Sequence, residues 1–257
     1  MKLFSQQYGE GDALIILHGL FGMSDNLAPV GKRLADRRHV ILPDQRNHGR
    51  SPHHATMNYP VLAQDILQLM DDEQIERADV LGHSMGGKVA MQLAVLCPQR
   101  FHRVIVADIA PVQYPRHHDL VFAGLFAVRD AQCTTRTQVD QVLASFVSDA
   151  GVRQFLAKSL HKGDDNVLQW RFNIDALHQH YDAVSAPPVQ GQSFDGPALV
   201  IKGENSNYML PEHRDAFAHF LTRANYQTIA GTGHWLHAEK PAEFTTLVAD
   251  FLDGRAG

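Results

Sequence analysis

The stretch Gly82-His83-Ser84-Met85-Gly86-Gly87 decides the fold. Ala78-Asp79-Val80-Leu81 leads into it as an apolar run, and helix-compatible residues lead out of it from Lys88 to Cys97. A serine with a glycine two positions to either side, placed where a strand turns into a helix, reads as a nucleophile elbow. The turn brings the entering and leaving chains close together, so positions 82 and 86 need residues without a side chain. The helix that follows aims its free N–H groups and positive dipole end at the point where an oxyanion would form. G-x-S-x-G also arises by chance, so the rest of the chain has to supply its partners.

Upstream, Leu3-Phe4-Ser5 begins a short first strand, and Ala13-Leu14-Ile15-Ile16-Leu17 forms a stronger one. Its continuous apolar character is that of a strand covered on both faces. Ser24-Asp25-Asn26 offers N-caps for a helix reaching about Ala35. His39-Val40-Ile41-Leu42 makes the next strand, closing at Pro43-Asp44. Asn58-Tyr59-Pro60 then caps a helix with Val61, Leu62, Ile66, Leu69 and Met70 at helical spacing. Downstream of the elbow, Val104-Ile105-Val106-Ala107 is a strand ending at Asp108. Strands alternating with amphipathic helices imply crossover connections and a mostly parallel twisted sheet flanked by helices, an α/β fold.

The alternation stops after Pro111. Between 112 and 190 the segments are helix-like, near 119–129, 137–148, 152–160 and 173–181, with no strand-like run between them. The sheet resumes at Ala198-Leu199-Val200-Ile201 and again over 224–229, and a last helix spans about 242–252. The expected organisation is a core domain of residues 1–111 and 191–257 with a helical cap, 112–190, inserted between strands. The insertion is too long for a single crossover. It would lie over the strand ends, where α/β sheets bind ligands.

A length of 257 residues suits one α/β domain with such an insertion. The net charge of −5 argues against nucleic acid or an anionic membrane as a partner. Two cysteines make no disulfide framework and fit a reducing compartment. Residues 1–12 carry no apolar run of signal-peptide type, and no stretch approaches a membrane span, so a cytoplasmic location is expected. Sixteen histidines are many for this length, but the pairs His53/His54, His117/His118 and His178/His180 lack Cys or carboxylate companions at metal-site spacing. They read as solvated surface residues, and neither a metal nor an organic cofactor is expected.

A serine hydroxyl needs a base. His234 lies in Gly231-Thr232-Gly233-His234-Trp235, directly after the last strand, with Glu239-Lys240-Pro241 opening the final helix. Its late position fits the order nucleophile, acid, histidine. His237 is the alternative, but Trp235 and Leu236 stand between the two. The histidine in turn needs a carboxylate. Asp108 and Glu204 both end strands on the side of Ser84. Many hydrolases place the acid after the later strand, which favours Glu204. Asp108, at a strand tip among apolar neighbours with Pro111 shaping the exit, is preferred, and Glu204 stays open. For the oxyanion, one donor is Met85 N–H and the other Leu20 N–H, or less readily Phe21 N–H, presented by the turn at His18-Gly19. His18 itself reads as a packing and turn residue.

Together these residues resemble the α/β-hydrolase superfamily. Within it the chain is similar to YbfF-type bacterial esterases and their animal abhydrolase relatives. The resemblance runs in order through His18-Gly19-Leu20-Phe21-Gly22, Asp44-Gln45-Arg46-Asn47-His48-Gly49, the elbow to Lys88, Asp108-Ile109-Ala110-Pro111, Trp170-Arg171-Phe172-Asn173 and residues 231–241. It implies the α/β-hydrolase fold, hydrolysis of acyl esters or acyl thioesters such as acyl-CoA, and a triad of Ser84, Asp108 and His234. Gln45 stands where a methionine is common in that loop, and the short N-terminus leaves room for fewer leading strands than the fullest form. The loop 44–51 reads as self-bracing. Two rival readings remain: a carbon–carbon hydrolase or lyase acting on a small acidic metabolite, and a ligand sensor with vestigial chemistry.

Overall fold

Each interior strand sends alternate side chains to opposite faces. In a computed structural model describing residues 1–189 and 191–255, the strand of Asp12–Leu17 buries Leu14 and Ile16 in one layer and Ile15 and Leu17 in the other. Gln190, the expected end of the insertion, and Ala256 and Gly257 of the expected core lie outside the described residues.

The elements follow in chain order: β1 (Ser5–Tyr8), β2 (Asp12–Leu17), α1 (Ser24–Leu34), β3 (Arg38–Pro43), α2 (Tyr59–Asp72), β4 (Ala78–His83), α3 (Met85–Leu96) and β5 (Phe101–Ala107). Then come α4 (Asp119–Asp130), α5 (Arg136–Ala144), α6 (Ala150–Ala157), β6 (Leu160–Lys162), β7 (Leu168–Trp170), α7 (Ile174–Gln179) and α8 (Tyr181–Ser185). The chain closes with β8 (Ala198–Gly203), α9 (Arg214–Ala218), β9 (Ala224–Ile229), α10 (Leu236–Glu239) and α11 (Pro241–Leu252). Seven strands form one sheet in the order β1-β3-β2-β4-β5-β8-β9. β1 alone runs antiparallel to its neighbour, pairing Ser5 with Pro43 and Tyr8 with Val40. Helices α1 and α11 pack on one face through Leu27, Val30, Leu34, Phe244 and Val248, while α2 and α3 cover the other through Leu62, Ile66, Val89 and Leu93.

The mostly parallel sheet flanked by helices is the expected architecture. The strand order reverses at β2, which has β3 on one side and β4 on the other. His18, Asp44, Ser84, Asp108 and Glu204 each follow the last residue of a strand, so they gather at one edge of the sheet.

Two expectations change. The segment between β5 and β8 is not wholly helical: β6 and β7 pair antiparallel, Leu160 with Trp170 and Lys162 with Leu168. Strands of three residues are too short to show a period, although Gly163-Asp164-Asp165-Asn166 between them carried a turn signal. The expected helix at 173–181 is two helices, α7 and α8, with His180 outside helical geometry between them. Asn173 caps the first, its side-chain oxygen accepting from Ala176 N–H at 3.2 Å.

Candidate active site

The elbow is built as its glycines require. Ser84 takes φ 55° and ψ −123°, a conformation that costs an ordinary residue energy and persists where the surroundings fix it. A methyl group at position 82 would overlap the Gly86 carbonyl, and one at 86 would overlap the backbone of Leu17 and His18. Ser84 N–H donates to Ala107 O at 3.0 Å, tying the turn to the neighbouring strand.

His234 Nε2 lies 3.0 Å from Ser84 Oγ, and His234 Nδ1 lies 2.7 Å from Asp108 Oδ2. A neutral imidazole that gives its Nδ1 proton to the carboxylate presents an accepting Nε2 to the hydroxyl, the arrangement a base requires. Asp108 is completely buried, itself at positive φ (51°), and its carboxylate also accepts from Gly203 N–H at 3.0 Å and from the Ser206 hydroxyl. Those donors hold it aimed at the imidazole. Glu204 goes elsewhere: its Oε2 accepts from Gly231 N–H at 2.6 Å, bracing the loop that carries His234. Glu239 does the same for Gly233 N–H at 2.8 Å. His237 lies edge-on against the His83 ring, 4.4 Å between centroids, and burial pushes its pKa down to about 3. It makes no hydrogen bond to Ser84 among the described residues.

Several contributors escaped the sequence reading. His83 Nε2–H donates to His234 O at 2.8 Å, fixing the backbone that carries the imidazole. The Tyr208 ring stacks on His234 with centroids 4.0 Å apart. Ser206 had a signal, its place three residues past the end of β8, but no pattern in sequence announces a partner on Asp108. Gln45, the departure from the common methionine, is buried and donates from Nε2 to His18 O at 2.7 Å, so it holds the His18-Gly19 turn.

That turn is specified by two buried histidines. His18 Nδ1 meets Gly19 O at 2.8 Å and its Nε2 accepts from Gln45 N–H at 3.0 Å. His48 Nδ1 meets Arg46 O at 2.9 Å and its Nε2 accepts from Phe21 N–H at 3.2 Å. Phe21 N–H is thereby engaged, whereas Leu20 N–H and Met85 N–H have no hydrogen-bond partner among the described residues. The loop 44–51 braces, as read from sequence: Asp44 accepts from Ser24 N–H at 2.6 Å and from Arg50 N–H at 2.8 Å, and Arg46 grips Asp65 at 2.5 and 2.9 Å. None of its residues lines the cavity.

The two histidines carry a consequence for stability. Burial lowers both pKa values, that of His48 to about 3. In the unfolded chain a histidine takes its proton near 6.5, so below that pH the unfolded state binds more protons and stability is lost as pH falls toward about 3. At pH 5 the loss for His48 reaches up to about 2 kcal/mol. Urea midpoints should therefore drop between pH 7 and pH 5, above the range where carboxylates titrate. Equal midpoints would contradict neutral burial.

A cavity of about 360 Å³ opens on Ser84 and His234, a size typical of small-molecule sites. Val121, Val147, Val152, Phe155 and Leu156 from the segment between β5 and β8 line it, with Phe21, Trp235 and Tyr208 from the core. Of the phenylalanines on α4 and α6, Phe155 reaches the cavity. Phe122 is buried edge-on against Phe21, Leu125 is buried, Leu120 is exposed, and Phe126 lies against His178. Lys88 is the one lysine or arginine in the lining among the described residues. No group of three or more His, Cys, Asp or Glu among the described residues could hold a metal ion, and no helix among them is long and apolar enough to cross a membrane.

A family model described as the alpha/beta hydrolase fold matches residues 12–241. Esterase YbfF of Escherichia coli is 38% identical over 254 residues, which cover 97% of this chain and 96% of that protein. The sn-1-specific diacylglycerol lipase ABHD11 of Mus musculus is 37% identical over 93% of this chain and 80% of its own length. A solved structure titled marine microorganism esterase superimposes with a TM-score of 0.94 at 34% identity, covering 97% of this chain and 99% of that one.

Proposed function

The chain belongs to the α/β-hydrolase family, as a carboxylic ester hydrolase, and from that premise we propose that it cleaves acyl esters, or acyl thioesters, by two-step transfer through Ser84. The observation that carries the reading is the connected line Ser84 Oγ to His234 Nε2 at 3.0 Å and His234 Nδ1 to Asp108 Oδ2 at 2.7 Å. His234 takes the hydroxyl proton as Ser84 Oγ bonds to the acyl carbonyl carbon. Leu20 and Met85 N–H groups receive the oxyanion, each worth about 3 kcal/mol in the transition state. The carbon–oxygen or carbon–sulfur bond then breaks, His234 returning the proton to the leaving alcohol or thiol. A water, deprotonated by the same imidazole, releases the acid and restores Ser84. Asp108 keeps its hydrogen bond to Nδ1 throughout.

In this reading residues 112–190 act as the cap, and the apolar side chains they contribute take the acyl group. The charges argue for an uncharged acyl group at the serine. A small acidic metabolite needs a free cation near the serine, but the Lys88 hydrogens are all engaged by backbone carbonyls and Arg46 is committed to Asp65. Arg116 is held by Asp119 and Asp182. A panel of p-nitrophenyl esters and acyl-CoA thioesters across chain lengths tests the proposal by catalytic efficiency. Turnover of many equivalents is expected. One acylation followed by arrest would mark a sensor, and turnover confined to dicarboxylates or dienoates would favour the lyase reading.

A further inference from the structure

Ser84 precedes α3, and Lys88 and Gln92 follow at spacings of four, which sets all three along one side of the helix. Lys88 is 1% exposed and Gln92 0%. Neither takes part in the acyl transfer above. Burying an ammonium is costly unless its hydrogens are accepted, and burial pushes Lys88 down to about 7. Its partners are not carboxylates. Nζ donates to Val112 O at 2.8 Å, Ser185 O at 2.9 Å and Ala186 O at 2.6 Å, with the Tyr114 ring 4.6 Å away. An ammonium has three hydrogens, so none is spare.

The acceptors have a common meaning in the chain path. Val112 lies where the segment between β5 and β8 leaves the sheet, and Ser185 and Ala186 lie where its last helix ends. One turn along α3, the Gln92 amide closes a two-way bond with Val189: Nε2 donates to Val189 O at 3.2 Å and Oε1 accepts from Val189 N–H at 2.8 Å. Tyr114 N–H donates to Ser185 O at 3.0 Å, joining the two roots directly. A well-packed apolar side chain would fill the same space without the desolvation cost. What an apolar side chain could not do is hold three carbonyls from two separate strands of chain in one arrangement.

We propose that Lys88 and Gln92 are positioning residues, a clasp that fixes both roots of the inserted segment relative to Ser84 and thereby sets the fit of the acyl group. The acyl-facing residues Val121, Val152, Phe155 and Leu156 all sit on that segment. A tilt about its roots moves them against a nucleophile that rides on the same helix as the clasp. A short acyl group that does not reach these residues is indifferent to the tilt.

The kinetic side rests on Ser84 performing acyl transfer; the exchange side does not. Lys88→Met keeps the stem and removes the donors, and Gln92→Leu does the same one turn on. In each variant, KM for p-nitrophenyl octanoate should rise about tenfold, and in Gln92→Leu, whose side chain does not line the cavity, kcat and the acetate parameters should stay within about threefold. Amide hydrogen exchange at Tyr114, Val184 and Ala186 should quicken by about tenfold or more. In Lys88→Ala, n-propylammonium should restore the octanoate KM while 1-propanol, uncharged and of equal length, should not. Unchanged exchange, or a loss of kcat common to every chain length, overturns the clasp. Should Lys88→Met fail to fold, Gln92→Leu carries both readouts alone. Should the wild-type protein turn over no ester, exchange decides the clasp by itself.

Discussion

Replacing Ser84 with alanine lowers kcat for p-nitrophenyl ester hydrolysis by about 10⁶-fold, because nucleophile and base act as a unit and the loss of either removes the covalent route. The residual rate, about 10³- to 10⁴-fold above water, is what bound substrate and an intact oxyanion site supply. The variant should fold: Ser84 Oγ contributes one 3.0 Å contact to His234, and the elbow is held by backbone bonds that alanine keeps. Its φ of 55° is no worse for alanine than for serine. A serine-directed phosphonate should add its mass to the peptide containing Ser84 in the wild-type protein and leave the variant unlabelled. Substantial hydrolysis by purified Ser84→Ala would end the proposal, since no other hydroxyl bonds to His234 among the described residues.

How much of this was readable in advance follows from the range of the interactions. The elbow, the strand before it and the helix after it are local, and local spacing exposed Ser84. His234 stands out through its glycines and its place after the last strand. Asp108 required weighing two strand ends, since nothing in sequence says which carboxylate faces inward. The fold placed Asp108 Oδ2 at 2.7 Å from the imidazole and turned Glu204 to Gly231. Tyr208 on His234 and Gln45 on His18 are contacts between distant stretches, and no periodicity encodes them. Gln45 stands where a methionine is common, yet its amide makes a hydrogen bond to the His18-Gly19 turn that a thioether has no donor to make. Lys88 was visible as part of the motif, but its role depends on where residues 112 and 185 return to the helix. The β6–β7 hairpin hid behind its length.

Asp108→Asn and Glu204→Gln separate the two acids by four orders of magnitude. Asparagine tolerates the positive φ of 51° at 108, so the backbone there is preserved and the change falls on the hydrogen bonds. An amide turned to accept from Gly203 N–H with its oxygen, at the place of Oδ1, puts its NH₂ at the place of Oδ2 and so offers it to His234 Nδ1. That nitrogen must then accept, the proton moves to Nε2, and the imidazole points a hydrogen at Ser84 where a lone pair is needed. The stabilising charge for the imidazolium is lost as well. The expected fall in kcat is about 10⁴-fold, or about 5 kcal/mol of transition-state stabilisation. Glutamine at 204 keeps an oxygen to accept from Gly231 N–H, so the His234 loop stays in place and kcat should change by less than about threefold. Both variants are compared by kcat at saturating p-nitrophenyl butyrate, with thermal midpoints recorded to confirm folding. A larger loss in Glu204→Gln would transfer the acid's role to Glu204 and leave the buried carboxylate of Asp108 as a brace between β5 and β8.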